Sequence, residues 1–114
     1  MSNPTANAPE VTTEDLAAAI EQGVTVIDVR NPDEYVEKRI PGVHLIPLPE
    51  LNDRMDEVPK DEQVYVVCAG GVRSLTAAEA LNNAGYNTVS VAGGTNAWAE
   101  EGRPIETGPP PEAV

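Results

Sequence analysis

Short apolar runs alternating with helical patterns predict an α/β fold, an open and mostly parallel sheet with helices on both faces. Three observations carry this reading. Residues 24–29, 64–67 and 87–91 are rich in β-branched side chains and poor in charge, as strands buried on both faces are. Between them lie stretches with apolar residues at helical spacing. The core has to be aliphatic, because the chain contains no Phe, one Trp and three Tyr. With 114 residues, 40% of them hydrophobic, it can build one domain with its own core but not two ordinary ones.

The elements follow in order. Residues 1–10 lack periodicity and read as a loose arm. Thr12 or Thr13 can cap a first helix, with Glu14 and Asp15 in its opening turn, Leu16, Ala19 and Ile20 on one face, and Gly23 at its end. The strand at 24–29 runs into Arg30. Asn31, Pro32 and Glu34 then supply an N-cap, a first helical residue and a capping-box return for a brief helix to about Lys38. Ile40-Pro41-Gly42 makes a turn. Residues 43–48, interrupted by Pro47, suit an edge strand, and Leu51, Met55 and Val58 mark a small helix. Lys60-Asp61-Glu62 turns into the central strand at 64–67. Ser74, Ala77, Ala78 and Leu81 share a face of the next helix, which Gly85 ends, and a strand at 87–91 follows. Gly93-Gly94 opens a last helix through Trp98. The ordered domain is set at residues 11–105, with 106–114 as a flexible Pro-rich tail.

Composition excludes several functions. A net charge of −12, from 19 acidic and seven basic residues, repels nucleic acid and anionic lipid and suits a basic protein partner. One cysteine rules out an internal disulfide and a resolving-thiol pair. One histidine and one cysteine are too few for a zinc site, so no metal is expected. Residues 1–10 have neither the basic nor the apolar segment of a signal peptide, and no apolar run reaches the roughly 18 residues of a membrane span. A cytoplasmic protein is expected.

The chemistry centres on Cys68-Ala69-Gly70-Gly71-Val72-Arg73-Ser74, where a strand gives way to a helix. Glycines let the backbone fold back, successive N–H groups can form a nest, and the positive end of the helix points at the same spot. Such a place holds a thiolate or an anion. A free cysteine has a pKa of about 8.5, and a helix N-terminus lowers it to roughly 3.5–7.5. The bland alternative is an inert core thiol. In open α/β sheets ligands bind beyond the carboxyl ends of the strands, and Asp28 and Arg30 fall at such an end too.

These residues resemble the rhodanese (sulfurtransferase) family over residues 11–105. The first likeness is Val26-Ile27-Asp28-Val29-Arg30 with Pro32, Glu34 and Tyr35. Ile40-Pro41-Gly42-Val43 with Ile46-Pro47-Leu48 is similar to a second signature, and Cys68-x-x-Gly71-x-Arg73-Ser74 to the active-site loop. Gly93-Gly94, Ala97-Trp98 and Gly102-Arg103-Pro104 resemble the closing signature. The chain departs from the pattern at Lys38-Arg39, where Gly-His is common, and at Leu45, where Asn is frequent.

The resemblance implies a three-layer α/β/α fold with a five-stranded, mainly parallel sheet. It also implies a sulfurtransferase that moves a sulfane sulfur through a Cys68 persulfide, with no other cofactor. Cys68 is then the nucleophile. The backbone of Ala69, Gly70, Gly71, Val72 and Arg73 would hold the donor and the bound sulfur, with Ser74 in support. Arg73 either meets an anionic donor or braces the loop carbonyls, with an exposed helix residue or a structural pair with an acid as the blander readings. Asp28 and Arg30 read as an ion pair or brace beside the site. Arg39 is a candidate for extra positive charge on the rim, with a solvated surface arginine as the alternative. His44 and Trp98 read as structural. Thiosulfate is the model donor, and cyanide, a small thiol or a thiol-bearing protein the acceptor. Two alternatives stay open: a persulfide-carrying module for a protein partner, and a cysteine-dependent phosphatase or arsenate reductase. Four residues separate Cys68 from Arg73, one fewer than in phosphatase loops, and the smaller ring favours sulfur.

Overall fold

The computed structural model describes residues 8–109. Its five strands are β1 (Glu10–Val11), β2 (Thr25–Asp28), β3 (His44–Leu45), β4 (Gln63–Val67) and β5 (Asn87–Val91). They form one sheet in the order β1-β5-β4-β2-β3, and every strand pair is parallel. The helices are α1 (Thr13–Glu21), α2 (Pro32–Glu37), α3 (Val72–Asn83) and α4 (Gly94–Glu100). The expected α/β/α layering is therefore present, with β4 at the centre.

The pleat divides the core in two. Ile27, Val29, Val64 and Val66 point to the side of Ala77, Ala78 and Leu81 of α3. Val26, Val67 and Val91 point to the other side, against Leu16 of α1, Tyr35 of α2 and Trp98 of α4. Each fully buried aliphatic side chain contributes roughly 1.5–3 kcal/mol, so alternation along three strands fixes which helix covers which face. Trp98 anchors α4 in the core as expected, its indole N–H donating to the Pro104 carbonyl at 2.6 Å.

Local signals set the helix ends. The Thr12 hydroxyl accepts from the Asp15 N–H while the Asp15 carboxylate accepts from the Thr12 N–H, a complete capping box for α1. Glu34 returns to the Asn31 N–H at 2.9 Å in the same way, with Pro32 at the start of α2.

The structure corrects the sequence reading in four places. Residues 8–10 are not part of a loose arm: Ala8 is buried, Ser90 donates its N–H to the Pro9 carbonyl at 2.9 Å, and β1 pairs with β5. A two-residue strand held by main-chain bonds leaves no periodic trace. At the other end, residues 106–108 are packed rather than loose. Glu106 exchanges both backbone bonds with Arg39, and the Gly108 N–H donates to the Val36 carbonyl at 2.7 Å. Residues 1–7 and 110–114 of the expected arm and tail lie outside the described residues. The edge strand expected at 43–48 shrinks to His44–Leu45. The small helix at Leu51, Met55 and Val58 is replaced by 3-10 turns, Leu48–Glu50 and Asn52–Glu57. Arg54 departs from helical geometry there (φ −119°, ψ 17°) and clips the turns together through Glu50, Glu57 and the Leu45 carbonyl.

The sheet leads to one close approach that matters for the site. The start of α4 lies against the loop joining β4 to α3: Thr95 and Asn96 donate their N–H groups to the Cys68 and Ala69 carbonyls at 2.8 and 3.0 Å. Only a residue without Cβ fits at position 94, because a Cβ there would overlap the carbonyl oxygens of both Cys68 and Ala69, and φ is +59°. Replacing Gly94 by Ala is expected to destabilise the fold by about 3 kcal/mol or more, combining left-handed strain with displaced backbone. Urea denaturation measures it, and a loss below about 1 kcal/mol would show that the loop and α4 part easily.

Candidate active site

The site is built where β4 ends. Cys68 is 1% exposed, its side chain on the α3 side of the sheet. Gly71, with φ +109°, caps α3 and turns the chain so that its N–H donates to the Cys68 Sγ at 3.1 Å. The Ser74 hydroxyl lies 3.4 Å from the same sulfur. Of the two loop glycines only Gly71 has positive φ; Gly70 has nothing within 4 Å of where a Cβ would be.

Burial pushes the Cys68 thiol up, as it must for a group that ionises to an anion. The Ser74 hydroxyl, together with the N–H groups of Ser74, Gly71 and Gly70, overcomes this and holds the thiol below its ordinary value. The arrangement favours an anionic sulfur stabilised by fixed dipoles in place of water.

Around this centre the sequence-selected residues take distinct places. Ala69 contributes its carbonyl to the α4 contact described above. Val72 is 79% exposed, an apolar side chain at the start of α3. Arg73 makes two bonds of 2.9 Å to the two carboxylate oxygens of Glu34, the structural pair with an acid that was one of its readings. Asp28 and Arg30 form the expected pair, both buried. The Arg30 guanidinium meets the Asp28 carboxylate at 2.8 Å and also donates to the Glu34 and Lys38 carbonyls. That pair ties the end of β2 to Glu34 within α2 and to Lys38 at its C-terminal cap, and through Glu34 to Arg73.

Arg39 is neither rim charge nor solvated surface. It is 4% exposed, lies over the Tyr35 ring at 4.4 Å and donates to the carbonyls of Tyr35 and Gly108. Its neighbours come from the distant C-terminal segment, which local sequence does not announce. His44, half exposed, pairs with Glu57 at 2.9 Å. Among the described residues no group of three or more His, Cys, Asp or Glu is placed to hold a metal ion, and no helix is long and apolar enough to cross a membrane.

Two contributors were not singled out for the site. Glu34, a helix cap and part of the first signature, also neutralises Arg73. Ser90 of β5 lies outside every motif, and its hydroxyl lies 2.8 Å from that of Ser74. The available signal was the pair of hydroxyl residues Thr88 and Ser90 alternating with Val89 and Val91.

A strand-to-helix loop that cradles a lone cysteine, closed by a glycine-led second helix, defines a class. Residues 12–101 match the model of the rhodanese-like domain, and the chain belongs to that family. It is 38% identical over 85 residues to a sulfurtransferase of Allochromatium vinosum, covering 74% of this chain and 79% of the relative. It is 33% identical over 97 residues to the putative sulfurtransferase YtwF of Bacillus subtilis, covering 83% and 94%. The fold is similar to the crystal structure of a rhodanese-related protein from Thermoplasma volcanium, with TM-score 0.81, 37% identity, and coverage of 86% of this chain and 97% of that one.

The Arg73–Glu34 contact sets a pH dependence. Hydrogen bonding to Arg73 holds the Glu34 carboxyl well below its ordinary value of 4.5, at about 2. The folded value is the lower one, so the stabilisation is complete above about 4.5 and is lost as pH falls toward 2. Glu34→Gln is expected to cost about 1–2 kcal/mol at neutral pH, a figure reduced for a pair about one-third exposed. The gap to wild type should close between pH 4.5 and 2. Urea titrations across that range check it; a gap that persists at the acid end would assign the loss to packing.

Proposed function

We propose that the chain is a sulfurtransferase of the rhodanese type. The Cys68 thiolate attacks the outer sulfur of a donor such as thiosulfate. A Cys–S bond forms, the donor's S–S bond breaks, and sulfite leaves with the electron pair. An acceptor nucleophile, cyanide or a thiolate, then attacks the outer sulfur of the persulfide, and Cys68 departs as thiolate. This is a two-step covalent mechanism. The observation that carries it is the buried Cys68 Sγ with the Gly71 N–H at 3.1 Å and the Ser74 hydroxyl at 3.4 Å. The relatives named as sulfurtransferases support sulfur transfer as the general activity.

Phosphate chemistry fits less well. The Arg73 guanidinium that a phosphate would need is taken by Glu34, in addition to the shorter loop. A second reading, persulfide delivery to a protein partner, is favoured by charge. Every arginine has a carboxylate partner: Arg30 with Asp28, Arg39 with Glu106, Arg54 with Glu50 and Glu57, Arg73 with Glu34, and Arg103 with Glu101. In a chain of net charge −12 this leaves little to attract a free dianion and suits a basic protein. One relative, 32% identical and twice as long as the matched region, is named as a putative sulfur carrier protein. A lone reactive thiol of this kind belongs in a reducing compartment, the cytoplasm in this proposal.

Thiosulfate:cyanide turnover with wild type and Cys68→Ser, together with intact mass after thiosulfate treatment, tests the proposal. Turnover and one added sulfur are expected in wild type, both abolished by the substitution. Loading without turnover would select the carrier reading. No loading from thiosulfate or from a small persulfide would refute the persulfide mechanism.

A further inference from the structure

The sulfur does not end its polar contacts at Ser74. Behind that hydroxyl, at 2.8 Å, lies the hydroxyl of Ser90, and both residues are completely buried. Ser90 is fixed from two sides, in register with Val66 of β4 and with Glu10 of β1, and its N–H is held by the Pro9 carbonyl. Its side chain thus reaches α3 from a strand locked on both edges. A buried serine pair is costly unless each hydroxyl is satisfied, as the neighbouring Thr88 hydroxyl is by Ala78 and Asn82 of α3.

We infer that Ser90 is a positioning residue for the Cys68 thiolate, acting through the Ser74 hydroxyl as the outer member of a buried Cys68–Ser74–Ser90 relay. A serine hydroxyl has one proton and accepts as well as donates. With a neutral thiol, the S–H donates to Ser74 and Ser74 donates to Ser90. With a thiolate, the direction reverses: Ser90 donates to Ser74, and the Ser74 proton turns to the sulfur. Each hydroxyl changes partner by rotation alone, so the chain follows the charge on sulfur without moving a backbone atom. Polarisation by Ser90 strengthens the Ser74 bond to the anion. Without Ser90, the Ser74 hydroxyl loses the donor that holds it in the thiolate orientation.

The charges that bear on Cys68 lie elsewhere. Arg73 is on α3, Glu34 pairs with it from α2, and the Asp28–Arg30 pair lies at the end of β2. The neighbouring parts of β5 and α4 bring Ser90, Gly93, Gly94 and Thr95, none of them ionisable. A substitution at Ser90 therefore leaves the charge around the sulfur unchanged.

The inference rests on Cys68 being the proposed nucleophile, but its test does not use sulfur transfer. The pH dependence of Cys68 alkylation by iodoacetamide is measured for wild type, Ser90→Ala, Ser74→Ala, the double variant and Ser90→Thr, with circular dichroism to verify folding. Ser74→Ala should raise the midpoint by about one pH unit, the worth of a hydrogen bond to a charged group. Ser90→Ala should raise it by about half a unit, roughly threefold slower alkylation on the acid side. In the Ser74→Ala background Ser90→Ala should add nothing, and Ser90→Thr, which keeps the hydroxyl, should restore the wild-type midpoint. An unchanged midpoint in Ser90→Ala would overturn the relay. So would an equal shift in both backgrounds, which would mean that Ser90 acts by packing. Failure of wild type to load sulfur, with these shifts intact, would refute the proposed function and leave the relay standing.

Discussion

The cradle of N–H and O–H groups around the buried Cys68 sulfur, which the proposed chemistry would need to hold a charge, is the constraint on which the rest of this structure depends. Removing a thiolate from water is unfavourable, and at Cys68 burial is the largest single influence on ionisation, acting against it. Main-chain N–H groups and one hydroxyl reverse the balance because they are already aimed at the sulfur. Their aim requires a left-handed residue at Gly71 and a loop whose carbonyls are tied from behind. The start of α4 does the tying, and a side chain at Gly94 would prevent it. The glycines of two distant segments thus serve one purpose: bringing backbone to backbone around a sulfur atom.

A second layer keeps the loop from moving. Asp28 and Arg30 are buried together, a geometry whose net worth to stability is small but whose disruption leaves one charge unpaired. Arg30 also reaches the carbonyls of Glu34 in α2 and of its C-cap Lys38, and the Glu34 carboxylate holds Arg73 at the head of α3. The end of β2, the whole of α2 and the start of α3 are therefore one polar assembly. Its arginines are spent on protein partners, which is why the site presents backbone dipoles and the apolar Val72 rather than open positive charge.

Much of this was legible in the sequence because its causes are local. Strands buried on both faces leave continuous β-branched runs, helix caps leave Thr12 and Asn31 with acids three residues on, and the turn at the cysteine needs glycine. What escaped has distant causes. Arg39 resembled a surface charge because its acceptor, the Gly108 carbonyl, and its ion-pair partner Glu106 arrive from the other end of the chain. The strand at Glu10–Val11 is too short to show a period. Ser90 is one of three polar residues in β5, and nothing local in the sequence brings it to Ser74. Glu34 satisfied one local explanation, the helix cap, which concealed its second partner.

Loop amides and the Ser74 hydroxyl hold the Cys68 thiol below its ordinary value. Nuclear magnetic resonance tests it most directly, by following the Gly70, Gly71 and Ser74 amide resonances through a pH titration of wild type and Cys68→Ser. The account predicts that these three amides move together in wild type, with one midpoint below the ordinary cysteine value of about 8.5, and stay still in the variant. Amides that stay still until pH rises above that value would contradict it, and so would movements that persist without the cysteine.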